Sequence, residues 1–205
     1  MADLVDLDLN FVGGSAYDDD IGVWNGTGTC TTHHGESDCY ADLYNLCVRE
    51  ATEGVVADYW PFTECMFSSQ GELCADSWNG EDCGASAYNA TLFDAVVSKC
   101  SAAAGLSSAA ADALLDCAVT GSHSGMADAG KQLLLDDFAA AAEADSQGSP
   151  VWINVDGKLV DEKAYTDVDD WGKAVLEAIC DSSAAKNPGS TLPSACSASS
   201  SSSSS

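Results

Sequence analysis

Ten cysteines lie along this chain of 205 residues, at positions 30, 39, 47, 65, 74, 83, 100, 117, 180 and 196. An even, dispersed set of this kind reads as a disulfide framework formed in an oxidising compartment. No two of them stand three apart, so the chain has no Cys-x-x-Cys pair. All ten positions, Cys30, Cys39, Cys47, Cys65, Cys74, Cys83, Cys100, Cys117, Cys180 and Cys196, are therefore candidates for disulfide bonds. Two sequons, Asn25-Gly-Thr27 and Asn89-Ala-Thr91, are candidate glycosylation sites and fit the same secretory route.

Charge narrows the partners. Seven Lys and Arg stand against 33 Asp and Glu, a formal net charge of -26. Nucleic acids and anionic membrane surfaces call for basic patches, which this balance does not supply. Neither a signal-peptide pattern nor an apolar run of membrane-spanning length is present in the sequence. The first residues, Met1 to Asn10, alternate apolar and acidic side chains instead.

Hydrophobic periodicity divides the chain into strands at its ends and helices between. Leu4 to Val12 has period 2, with Val5, Leu7, Leu9 and Phe11 in alternation, and predicts a strand closed by Gly13-Gly14. Residues 13 to 32 read as a loop. A helix is expected from Glu36 or Ser37 through Cys47, continuing or restarting to Ala57. Tyr59-Trp60-Pro61-Phe62 then breaks the pattern, because proline is tolerated at a helix start and not inside. A helix through Cys65 and Met66 follows, then a polar insertion over 68–90. Further helices are predicted over Leu92–Ala103, Ser108–Val119 with Ser107 or Ser108 as cap, and Ala127–Ala144. In the last of these, Leu133, Leu134 and Phe138 form the expected buried face.

Val151–Val155 and Lys158–Val160 read as two strands joined by Asp156-Gly157, a strong two-residue turn. Trp171 to Ile179 predicts an amphipathic helix, and the serine-rich remainder ends in a segment expected to be disordered.

Two segments carry a resemblance. Ser149-Pro150, the hairpin and a final helix resemble the second half of a thioredoxin-like fold, in which a cis proline faces the redox dithiol. Upstream, His34-Gly35, Asp38-Cys39 and Cys47 are similar to the signature of the gamma-interferon-inducible lysosomal thiol reductase family. In that signature Cys-Gln-His-Gly is followed by an acidic residue and Cys, and then by a Cys eight positions on. Here Thr32 replaces the first cysteine, with Cys30 two residues earlier. His33 stands for Gln, and Asp42 stands where the family usually has Asn. Phe62-Thr-Glu-Cys65-Met66, Asp116-Cys117-Ala118 with Gly125-Met126, Cys180 and Cys196 extend the likeness over most of residues 4 to 196.

The resemblance implies an α/β, thioredoxin-like domain over residues 1–181. It is stapled by disulfides, carries a helical insertion at about 36–145, and is followed by a serine-rich tail over 182–205. It implies a family function of protein disulfide reduction, without a bound cofactor, in a lysosomal, vacuolar or extracellular setting. Disulfide-containing proteins or peptides would be the partners, with Ser149 and Pro150 in the substrate-binding groove. In the family, two thiols at a helix start attack the substrate disulfide and resolve the product. By this alignment the first strand, the dithiol and its helix are missing. The chain is then either an N-terminally incomplete reductase or a natural member without redox chemistry. The rival reading is a non-catalytic, secreted, peptide-binding or structural cysteine-rich protein.

Two other chemistries are disfavoured by the residues. Cys30, His33, His34 and Cys39 are zinc-type ligands, but the spacing lacks a Cys-x-x-Cys or His-x-x-x-His element, so no metal is expected. A Cys–His nucleophile is disfavoured, because disulfide-bonded cysteines are not available for attack.

Overall fold

A computed structural model describes residue 11 and residues 36–73, 88–121, 123, 125–143, 153–161 and 164–199. It is mostly helical, with one small antiparallel sheet, and falls into two compact units that are described separately.

In the larger unit, within Asp8–Gly148, the described residues form an array of six helices. They are α1 (Glu36–Ala51), α2 (Val56–Ser68), α3 (Gln70–Leu73), α4 (Ala90–Ala103), α5 (Ser108–Ala118) and α6 (Asp128–Glu143). Helix α1 is the axis of the array and packs against α2, α5 and α6. Its apolar residues run nearly all round: Cys39, Leu43, Tyr44, Leu46, Cys47 and Val48 are each 1% exposed or less. A helix apolar on every side is a buried helix. Glu36 and Asp38 in its first turn and Arg49 in its last complement the helix dipole.

Local chemistry sets the helix ends. The Asn89 side chain caps α4 by accepting from the Thr91 and Leu92 amides, and Ser107 caps α5 by accepting from Ala110. Both α1 and α4 close with a Schellman-type pattern. After α1, Gly54 N–H donates to Arg49 C=O at 2.8 Å and Glu53 N–H to Glu50 C=O at 3.1 Å. After α4, Leu106 donates to Ser101 at 3.0 Å and Gly105 to Ala102 at 3.1 Å. The left-handed residue is Gly105 at the end of α4 (φ 66°), but Glu53 at the end of α1 (φ 54°).

Pro61 does not break the chain as the sequence predicts; it lies inside α2. An interior proline removes one backbone hydrogen bond and crowds the preceding turn, at about 3 kcal/mol. Tertiary packing offsets that cost. Tyr59, Phe62, Thr63 and Met66 of this helix are 1% exposed or less, and Cys65 is bridged to Cys100 of α4.

Close approach at α6 depends on a glycine. A Cβ on Gly130 would lie 2.6 Å from the Cys117 carbonyl oxygen and 2.6 Å from Leu43 Cδ1, so only glycine lets α6 reach α1 and the end of α5. Leu134 and Phe138 are buried as expected, whereas Leu133 is half-buried.

The smaller unit, within Met1–Leu7 and Ser149–Ser205, contains β1 (Asn154–Val155), β2 (Lys158–Leu159), α7 (Val168–Lys186) and α8 (Ser194–Ser199). The strands pair antiparallel, Asn154 with Leu159 and Val155 with Lys158. Asp156 (φ 51°) and Gly157 (φ 75°) both take left-handed backbone, the pattern of a type I′ turn. Of the predicted first strand, Val151 and Trp152 lie outside the described residues, and one further bond, Val160 N–H to Ile153 C=O, extends the ladder beyond the two pairs. Helix α7 lies against β1; Trp171 Nε1 donates to the Val160 carbonyl at 3.0 Å, and Lys186 pairs with Asp156.

Past Ile179, where the sequence pattern stops, α7 continues to Lys186, and Ser194–Ser199 forms a further short helix. The reason is covalent and local. Cys180 and Cys196 are joined, both nearly buried, and α8 folds back on α7. The predicted N-terminal strand lies outside the described residues except Phe11, which has no regular structure.

Candidate functional site

Helix α1 collects most of the residues singled out by the signature. Asp38, Cys39, Asp42 and Cys47 all lie on it. Cys39 is disulfide-bonded, and Cys47 is bonded to Cys117 of α5. His34, Gly35, Ser149, Pro150, Asn25, Cys30, Cys74 and Cys83 lie outside the described residues. The described bridges are Cys47–Cys117, Cys65–Cys100 and Cys180–Cys196, and no described cysteine is a free thiol. Thiolate chemistry therefore has no nucleophile among the described cysteines.

Beside the signature residues stands an aromatic cluster built from distant parts of the sequence. Tyr40 stacks on Tyr88, ring centroids 3.6 Å apart and planes 12° from parallel. Phe93 of α4 completes the group, 5.7 Å from Tyr44 and 5.1 Å from Tyr88. The Tyr44 and Tyr88 hydroxyls are 3.4 Å apart, and Glu36 accepts from the Tyr88 amide at 3.1 Å. Burial pushes the Tyr40 hydroxyl up to about 12, with help from the Glu36 charge and Tyr88. Burial likewise raises Tyr44, reinforced by its hydrogen bond to Tyr88. Tyr88 is raised chiefly by burial, against the lowering effect of that same bond. These phenols stay neutral at physiological pH and serve as a packed wall rather than as acids. The sequence reading missed the cluster because Tyr88 falls in a polar, glycine-containing stretch whose partners come from α1 and α4.

A carboxyl cluster occupies another side of α1. Burial, then Asp38, then Asp137 of α6, raise the Asp42 carboxyl well above the usual carboxylate range. Asp137 is 4% exposed, and its Oδ2 accepts the Phe11 amide at 2.6 Å.

Elsewhere, His123 in the turn between α5 and α6 pairs with Asp94 of α4, Nδ1 to Oδ1 2.8 Å. Among the described residues, no group of three or more His, Cys, Asp or Glu side chains is arranged to hold a metal. No helix among them is long and apolar enough to cross a membrane.

Comparison with models of protein families, with curated proteins and with solved structures gives no match in any of the three.

Proposed function

We propose that this chain is a disulfide-stapled relative of the lysosomal thiol reductases that, as written, does not itself turn over disulfides. One observation carries the reading: the signature cysteines of α1, Cys39 and Cys47, are both consumed in disulfides, while the sequence has no Cys-x-x-Cys pair. The fold supports it in part. A hairpin with a type I′ turn, followed by a helix packed on it, is the arrangement that a thioredoxin-like domain has after its substrate-facing proline. The helical array agrees with the expected insertion between the two halves of such a sheet. Ser149 and Pro150 would then hold an extended, disulfide-containing peptide.

Bridges among the described cysteines are compatible with folding in an oxidising secretory or extracellular environment. Asn89 is exposed and uses its Oδ1 as the α4 cap, which leaves its amide nitrogen as the atom for a glycan. The second reading, a structural or peptide-binding module with no redox role, is favoured by the same consumption of cysteines.

The test is turnover of a fluorescent disulfide substrate by the full chain at mildly acidic and neutral pH. No turnover is expected from the chain alone. Appending an upstream strand and a Cys-x-x-Cys helix should confer turnover if the reductase reading holds, and should leave the chain inert if the module reading holds. Robust turnover by the chain alone would mean that another cysteine is the nucleophile, and both readings would fall.

A further inference from the structure

Tyr88 is held face to face against α1. Its ring lies over that of Tyr40, with centroids 3.6 Å apart and planes 12° from parallel. That separation is about the contact distance of two carbon atoms, so the two rings overlap almost fully. Aromatic pairs left to themselves prefer offset or edge-to-face arrangements. Here the neighbours impose the overlap. Phe93 of α4 packs at a tilt on both rings, 5.1 Å from Tyr88 and 6.0 Å from Tyr40. Glu36 holds the Tyr88 amide at 3.1 Å, and Asn89, the next residue, caps α4.

Accessibility differs across the cluster. Tyr88 keeps part of its surface open, whereas Tyr40 is 3% exposed and Tyr44 is fully buried. An oxidant in solution therefore meets Tyr88 first, and the overlap gives the resulting radical a second ring within contact. The Tyr44 hydroxyl, 3.4 Å from that of Tyr88, borders the same pair. A thiol would be the usual competitor for such an oxidant, but no described cysteine is free.

We propose that Tyr40 and Tyr88 form a site of oxidative cross-linking, joined as dityrosine when the folded chain meets hydrogen peroxide and a haem peroxidase. Each phenol gives up one electron and its hydroxyl proton, which leaves two phenoxyl radicals on overlapping rings. The radicals pair to form one carbon–carbon bond between ring carbons that flank the hydroxyls. The hydrogen displaced from each of those carbons moves to the oxygen of its own ring. The peroxide takes up the two electrons and two protons and leaves as two molecules of water. The product ties α1 to the residue before the α4 cap with a bond that thiols do not open, unlike the described disulfides. The inference stands apart from the reductase reading and requires only an oxidising compartment.

The experiment exposes the full, disulfide-bonded chain to hydrogen peroxide and a haem peroxidase at neutral pH, dilute enough to disfavour encounters between chains. The monomer should lose two hydrogens in intact mass and gain dityrosine fluorescence, and both changes should survive thiol reduction. Proteolysis should then release a linked peptide pair that contains Tyr40 and Tyr88. Tyr88→Phe and Tyr40→Phe keep the rings and remove a hydroxyl, and each should abolish the link. The Tyr88 variant decides the matter if Tyr40→Phe, at a buried position, does not fold. Tyr165→Phe removes an exposed tyrosine of the smaller unit and should leave the yield unchanged. An unlinked monomer, a link through another pair such as Tyr44 with Tyr88, or an undiminished yield from the Tyr88 variant would overturn the proposal.

Discussion

Removing the Cys47–Cys117 bridge, by changing both residues to alanine, tests whether α1 and α5 are held by covalent closure or by packing alone. The two cysteines are 70 residues apart, and that loop encloses the Cys65–Cys100 bridge, whose own separation is 35. With the inner bridge closed, about half of the outer loop, ~35 residues, is still free to sample conformations in the unfolded chain. The chain-entropy relation then gives about 3.8 kcal/mol for the outer bridge, against about 4.4 kcal/mol had the whole loop been free. Cys180–Cys196 closes a separation of 16 in the smaller unit, for which the same relation gives about 3.1 kcal/mol. Cys47 is fully buried between α1 and α5, so alanine rather than serine is the replacement that adds no buried hydroxyl. Guanidinium unfolding of the oxidised proteins measures the loss, and a thiol assay verifies that the remaining cysteines are paired. A loss below about 1 kcal/mol for the Cys47/Cys117 variant would refute the entropic argument, because restriction of the unfolded chain is its main term.

Two further outcomes are expected. Glu53→Gly relieves the left-handed position that closes α1 and should raise stability by about 1 kcal/mol in the same unfolding assay, since glycine takes positive φ without penalty. Tyr40, Tyr44 and Tyr88 are raised by burial, so their neutral forms stabilise the fold below the ordinary tyrosine value, and that contribution is lost as pH rises through the folded values. Absorbance at the phenolate band should accordingly show these rings ionising together with alkaline unfolding. Reversible titration of all six tyrosines near pH ~10 in a folded protein would contradict the packed cluster.

Much of the secondary structure was legible in the residues because its causes are local. Helices α1, α4 and α5 follow from helical periodicity, the start of α5 also from its Ser107 cap, and the Asp156-Gly157 turn follows from two residues that accept positive φ. The participation of cysteines in bridges was legible too, from their even count and spread. Of the candidate site, the sequence placed Asp38, Cys39 and Cys47 on one helix, since their spacing and a helix start at Glu36 require it.

What the sequence could not decide were matters of long-range energy. Pro61 signals a break, and only the packing of Tyr59, Phe62 and Met66 with the Cys65–Cys100 bridge lets α2 run through it. Which cysteine meets which is a property of the folded chain, because ten thiols allow many pairings and sequence spacing ranks them only weakly. Tyr88 joins Tyr40 and Tyr44 from about fifty residues away. Asp42 and Asp137 are nearly a hundred residues apart and unremarkable in composition. The influence of Asp137 on the Asp42 carboxyl, which burial chiefly raises, belongs to the folded chain, as does the close approach of α6 to α1 that Gly130 permits. Local propensity fixes where helices begin and turns fall; burial and charge acquire their energies only from neighbours that the tertiary fold supplies.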